Sequence, residues 1–235
     1  MSGVSLDVAP GEVVAVIGPN GAGKTTLFNA ITGLVPLATG RIELKGERLD
    51  KLLPHEIADK GVRRTFQNGG LCGHLTVLEN VLAGLHAEVG GNLVSIVLGL
   101  RSARRAERAA VDRARGLLNL MRLGGLADDL ASRLSGGEQR MVEIVRTIAA
   151  RPPLLLLDEP AVGLAPQTRV ELANVIRHLA GTEGIGVLLI EHAIELVMDV
   201  SDRIVVLNYG EAIADGPPAA IRSNRVVLEA YLGHG

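Results

Sequence analysis

The chain has 235 residues, 47% of them hydrophobic and 21% charged, which is globular usage, excludes a disordered chain and allows one large domain or two small ones. Twenty-four Lys and Arg stand against 26 Asp and Glu for a net charge of -2, so no polybasic field favours nucleic acid. Cys72 is the single cysteine, which excludes a disulfide-stapled secreted scaffold.

Val4–Val8 alternates as a half-buried strand does, with Pro10-Gly11 as a turn. Asp7, Pro10 and Glu12 interrupt any apolar leader, so no signal peptide is expected and the chain reads as cytoplasmic. Val13–Ile17 is a continuous apolar run, the pattern of a strand covered on both faces. The glycine-rich stretch Gly18–Gly23 follows, then Lys24-Thr25-Thr26 and an amphipathic helix that stops near Gly33. Arg41–Leu44 alternates as a strand, and Val62–Phe66 is a short strand leading into Gln67 and a loop that ends near Leu75.

From Thr76 the pattern turns helical. Thr76 and Glu79 form a capping box, with Val77, Val81, Leu82 and Leu85 on one face. Val89–Leu100 is an apolar, glycine-containing insert, and Ser102–Leu123 is a long arginine-bearing helix. The apolar stretches 93–100 and 154–157 are far short of the roughly 20 residues a bilayer span needs. Ser135 and Glu138 form a second capping box, opening a helix to about Ala150. Strand Leu154–Leu157 ends at Asp158-Glu159-Pro160; then come a helix after Pro166, strand Gly186–Ile190, a helix after His192, strand Arg203–Asn208, a hairpin at Tyr209-Gly210 and a helix near Asn224–Leu232. Strands alternating with helices predict an α/β fold with a parallel sheet. The helical block 76–132, with its apolar insert 89–100, reads as an insertion into a sheet core formed by 1–75 and 133–235.

Three motifs carry chemistry. Gly18-Pro19-Asn20-Gly21-Ala22-Gly23-Lys24-Thr25 fits G-x-x-x-x-G-K-[ST] between a buried strand and a helix. Such a loop turns backbone N–H groups and a helix N-terminus toward phosphate, brings Lys24 to the β/γ-phosphates and sets the Thr25 hydroxyl on Mg²⁺; the plain alternative is a glycine turn with a surface lysine. Asp158 and Glu159 stand at the C-terminal end of a central strand, where α/β sheets bind ligands. There Asp158 is expected to hold Mg²⁺ through water and Glu159 to orient or deprotonate the attacking water; the plain alternative is a solvated helix cap, and the phosphate loop beside the pair favours the catalytic reading. Leu134-Ser135-Gly136-Gly137-Glu138-Gln139 opens a helix with two glycines, which cost roughly 1 kcal/mol each inside a helix. Either the chain turns tightly there or a second anion, a γ-phosphate, sits on the Ser135 hydroxyl and the glycine N–H groups.

That hexapeptide resembles the signature motif of the ABC-transporter nucleotide-binding domain, and the phosphate loop, Gln67 and His192 stand in that family's order. The resemblance covers nearly the whole chain. It implies a phosphate-loop NTPase (RecA-like) fold: a mostly parallel sheet core, an antiparallel β subdomain and an inserted helical subdomain. It implies ATP and Mg²⁺ as ligands. It also implies a head-to-tail pair with a second ABC ATPase subunit, the same chain or a different one, in which Ser135, Gly136, Gly137 and Glu138 serve the partner's ATP. Gln67 is then expected to contact Mg²⁺ or the lytic water, and His192 the γ-phosphate; Thr26 completes the phosphate loop. Gly163-Leu164-Ala165-Pro166, Leu189-Ile190-Glu191-His192 and Glu229-Ala230-Tyr231-Leu232-Gly233 look like the ATPases of branched-chain amino-acid importers.

The expected role is therefore a cytoplasmic ATPase, peripheral on the inner face of the cell membrane, working with separate permease subunits and indirectly with a substrate-binding protein. Urea-import and lipopolysaccharide-export ATPases are near alternatives. A soluble ABC ATPase acting on nucleic acid or ribosomes is a remoter one, and a generic phosphate-loop kinase leaves Leu134–Gln139 unexplained. Many ABC domains carry Asp where this chain has Ala165, so coupling between two ATP sites is expected to be weaker or routed differently. The arginines from Arg101 to Arg115 read as a solvated face with local ion pairs, with attraction to an anionic membrane surface as the sharper alternative. The resemblance also implies an aromatic residue ahead of the phosphate loop that stacks on adenine; no aromatic precedes Phe28, so the chain is expected to grip the triphosphate through Gly18–Thr25 and the base weakly.

Overall fold

The computed structural model describes residues 1, 3–65, 70–85 and 101–232. Gln67 and the apolar insert 89–100, both singled out above, lie outside the described residues.

Two compact units are present: residues 1–64, 152–161 and 176–235 form the first, and residues 65–151 and 162–175 the second. The helix that opens after Ser135, grouped above with the sheet core, falls in the second unit.

The first unit is built on a six-stranded sheet. Its strands are β1 (Val13–Ile17), β4 (Val62–Arg64), β5 (Leu154–Asp158), β6 (Gly186–Ile190), β7 (Arg203–Asn208) and β8 (Glu211–Gly216), in the order β4-β5-β6-β1-β7-β8. All neighbours are parallel except the β7–β8 hairpin. Every residue of β1 and β6 is buried, as continuous apolar runs in a covered parallel sheet should be. With few aromatics the core is aliphatic; Phe28, on α1 (Lys24–Ile31), is the fully buried exception among the described residues. Each such buried Leu, Ile or Val contributes about 1.5–3 kcal/mol.

Register fixes the chemistry of the sheet's C-terminal edge. Asp158 of β5 lies opposite Ile190 of β6, and Val16 of β1 lies opposite Ile190 from the other side. The residues that follow these strands, Gly18, Glu159 and Glu191-His192, therefore emerge along one edge.

Val4–Val8 is not a strand. Its alternation survives, with Val4, Leu6 and Val8 packed on the core, but no described strand pairs with it. The strand expected at Arg41–Leu44 shrinks to β2 (Glu43–Leu44), paired antiparallel with β3 (Glu47–Arg48) through a Lys45-Gly46 turn. A short helix α2 (Pro54–Asp59) follows, entered through Pro54. Another, α8 (Pro218–Arg222), precedes the expected terminal helix α9 (Arg225–Leu232).

In the second unit α3 (Val77–Leu85) packs on α4 (Arg101–Leu120) and on α5 (Gly136–Ile148). Both expected capping boxes form: Thr76 exchanges bonds with Glu79, and Ser135 with Glu138. Arg113 departs from the solvated face read for the arginines. Its guanidinium donates to the Ala149 and Ile148 carbonyls at 2.6 and 3.4 Å, satisfying the open C-terminal end of α5. Two 3₁₀ turns, Gly124–Leu126 and Ala131–Arg133, also lie in this unit; the remaining described α-helices of the chain are α6 (Pro166–Gly181) and α7 (Ile194–Val200).

Candidate functional site

The phosphate loop joins β1 to α1. Gly18 has φ 152, and a Cβ there would stand 2.1 Å from the Leu207 carbonyl oxygen, so β7 leaves room for glycine alone. Gly23 caps α1 at φ 102, a left-handed position that turns the chain into the helix. The loop is braced by the hairpin beyond β7, where the Gly210 N–H donates to Ala22 O at 2.9 Å.

Lys24, in the first turn of α1, is buried and folds back over the loop. Its ammonium donates to Gly18 O at 2.7 Å and to Pro19 O at 3.0 Å. Burial pushes this lysine below its ordinary value, and the negative Glu159 pulls it part of the way back. Thr25 and Thr26 are exposed beside it.

Asp158 is buried at the end of β5 and accepts from the Arg64 guanidinium at 2.6 Å. Arg64 also donates to Asn29 Oδ1 at 2.7 Å and lies over the Phe28 ring, 5.4 Å from its centroid. One guanidinium thus ties α1, β4 and the acidic strand end together. The motif reading missed it, because nothing in Val62-Arg63-Arg64-Thr65 distinguishes a buried arginine from a surface one.

Glu159 takes a left-handed backbone, φ 48, uncommon for a residue with a side chain and enriched at functional sites. Its N–H donates to Ile190 O at 2.8 Å, and its Oε1 lies 2.9 Å from His192 Nε2. The pair is accessible, with side chains 23% and 46% exposed. Two sequence-predicted residues 33 positions apart are therefore in contact. Glu191 between them is buried, and its carboxylate accepts three backbone N–H groups.

In the second unit Ser135 caps α5. Its hydroxyl donates to Glu138 Oε2 at 2.7 Å and its N–H to the same oxygen at 2.8 Å. These two bonds, the hydroxyl's first, hold the Glu138 carboxyl below the usual glutamate value. Gln139 reaches back to the Leu134 carbonyl at 3.1 Å. Gly136 and Gly137 are neither left-handed nor crowded: a Cβ on Gly136 meets nothing within 4 Å, and one on Gly137 makes an ordinary contact with Leu164 at 3.8 Å. The described residues give no steric reason for glycine at the start of this helix.

Asp158 and Thr25 offer a carboxylate and a hydroxyl, the hard oxygen donors that suit Mg²⁺. Among the described residues no group of three His, Cys, Asp or Glu forms a self-contained metal cage. No helix of the described residues is long and apolar enough to cross a membrane.

Residues 1–162 match the ABC transporter family model, and residues 213–235 match one described as branched-chain amino acid ATP-binding cassette transporter. The chain is 44% identical over 233 residues to the high-affinity branched-chain amino acid transport ATP-binding protein BraF of Pseudomonas aeruginosa, covering 99% of this chain and 91% of that one. A crystal structure of the ADP conformation of an ATP-binding cassette of an ABC transporter superposes with TM-score 0.81 and 34% identity, over 98% of this chain and 91% of that one. A dimeric ATP-binding cassette in a post-hydrolysis state, bound to ADP and Pi, superposes with TM-score 0.76 and 27% identity, over 91% and 88%.

Proposed function

The chain belongs to the ABC transporter family as an ATP-binding ATPase subunit, and on that premise we propose that it drives import of branched-chain amino acids through separate permease subunits. The branched-chain amino acid transport served by BraF and the match of residues 213–235 support the substrate class. Peripheral attachment to the inner face of the membrane follows from docking on a permease.

The observation that carries the catalytic reading is the Glu159–His192 contact of 2.9 Å on the sheet edge that also bears the phosphate loop. The loop amides and the α1 N-terminus bind the β-phosphate. Lys24 exchanges the Gly18 and Pro19 carbonyls for phosphate oxygens and recovers the charge solvation that burial costs it. Glu159 orients the attacking water and accepts its proton; His192 holds Glu159 and reaches the γ-phosphate. Thr25 and Asp158 would hold Mg²⁺, with Gln67 as a further ligand or water contact. Mg²⁺, when bound, neutralises charge on the β- and γ-phosphates.

Ser135, Gly136, Gly137 and Glu138 complete the site of a second ATPase subunit packed head to tail. Gly136 supports this, since among the described residues nothing stands within 4 Å of where its Cβ would be, and that space is open to a partner's γ-phosphate. The dimeric state of the ADP- and Pi-bound relative supports the same arrangement. ATP then favours the closed pair and hydrolysis releases it, a population shift driven by differential affinity.

Uptake of labelled leucine, isoleucine and valine in cells lacking this chain tests the reading. Uptake is expected to fail and to return with the wild-type chain but not with Lys24→Ala. Unchanged uptake in the deletion contradicts the substrate class.

A further inference from the structure

Glu191 is a buried acid to which the proposed chemistry gives no task. It is 2% exposed, and its oxygens are fully engaged by backbone. Oε1 accepts the Ala161 N–H at 2.7 Å; Oε2 accepts the His192 N–H at 2.6 Å and the Ala193 N–H at 3.0 Å. Ala161 lies two residues beyond Glu159, in the turn that leaves β5, and His192 and Ala193 lie in the turn that leaves β6. Neither turn is helix or strand, so this carboxylate supplies acceptors that regular structure does not.

We propose that Glu191 is a positioning residue that clamps the turn after β5 to the turn after β6 and so holds Glu159 and His192 at contact distance. The proposal rests on Glu159 and His192 being the pair that handles the attacking water. Two separate acceptor oxygens are needed, one for each turn. A residue that only filled the core would need none, and a glutamine keeps a single acceptor oxygen while turning two N–H donors toward backbone N–H groups. Loss of the clamp lets the Glu159 carboxylate drift relative to the water it orients. A small misplacement of that kind lowers turnover without touching the phosphate loop.

The test compares the purified wild-type chain with Glu191→Gln, His192→Ala, the double variant and Glu159→Gln, reading steady-state ATP turnover, KM, calorimetric ATP affinity and melting temperature. Glu191→Gln is expected to lower kcat by about 10- to 100-fold while KM and ATP affinity stay within about twofold. In the His192→Ala background the same change is expected to cost less than about threefold, because its route to the chemistry is already broken.

A kcat within about twofold of wild type overturns the proposal. So does a loss of kcat matched by equal losses in affinity and melting temperature, or full additivity with His192→Ala. If Glu159→Gln itself turns over normally, the catalytic reading fails and the clamp with it. If Glu159→Gln is inactive and Glu191→Gln is not, the clamp alone fails. Should the glutamine chain not fold, hydrogen exchange in the wild type decides. The Ala161 and His192 amides are expected to be protected by about 10²-fold or more although they lie outside helix and strand, and unprotected amides overturn the clamp.

Discussion

Replacing Arg64 by Met should leave a buried carboxylate without its cation. The Arg64 and Asp158 side chains are 5% and 4% exposed and 2.6 Å apart, and removing one member of such a pair costs about 3–5 kcal/mol. The contact with Phe28 adds a desolvated cation–π interaction, which Met packing on the same ring partly replaces. The expected loss is about 4 kcal/mol, a large share of a domain stability of about 5–15 kcal/mol. For a chain of this size that is a drop in melting temperature of roughly 8–16 °C. Arg64→Lys keeps the charge but cannot span Asn29 and Asp158 with one planar fork, and should lose about 1–2 kcal/mol. Arg64→Met with Asp158→Asn removes both charges, and should return to within about 2 kcal/mol of wild type. Thermal and urea unfolding of the nucleotide-free protein measures these three variants and Asp158→Asn alone against wild type. A single-variant loss below about 1 kcal/mol, or a double variant that simply sums its parts, refutes the reasoning.

Gly136→Ala should stabilise the nucleotide-free chain by about 0.5 kcal/mol, since its Cβ enters open space, yet lower ATP turnover by crowding the partner's γ-phosphate; an alanine chain with normal turnover refutes that use of the glycine. Gly18→Ala should cost about 3 kcal/mol, because its Cβ meets a backbone carbonyl rather than a movable side chain; unchanged urea unfolding speaks against it. The bonds from Ser135 lower the Glu138 carboxyl from 4.5, so their stabilisation is fully present above that pH and is lost as the pH falls through the lower folded value. Ser135→Ala should therefore be less stable than wild type by about 1 kcal/mol near neutrality, with a gap that narrows in acid; a gap independent of pH contradicts the assignment.

What the sequence makes legible here is local. The glycine-rich loop between β1 and α1, both capping boxes and the strand ending at Asp158 each lie within a few residues, and each takes the local structure its spacing says. Contacts that depend on which strands become neighbours are not legible. Arg64 meets Asp158 across 94 positions and Glu191 meets Ala161 across 30, and only the β4-β5-β6 order brings them together. Alternation misleads at Val4–Val8, because half-buried packing on a core produces the same pattern as a paired strand. Arg113 reads as solvent-facing because its acceptors, the last carbonyls of α5, lie 35 and 36 positions away. His192 is intermediate: the motif order points to it, while its contact with Glu159 needs the β5–β6 register.

ATP turnover and ATP affinity of the purified Glu159→Gln chain, measured side by side with wild type, test the central claim most directly. If Glu159 positions the water on the sheet edge beside the phosphate loop, affinity stays near the wild-type value and turnover falls by about 10²-fold or more. Near-normal turnover in the glutamine chain would place the chemistry elsewhere and contradict the account.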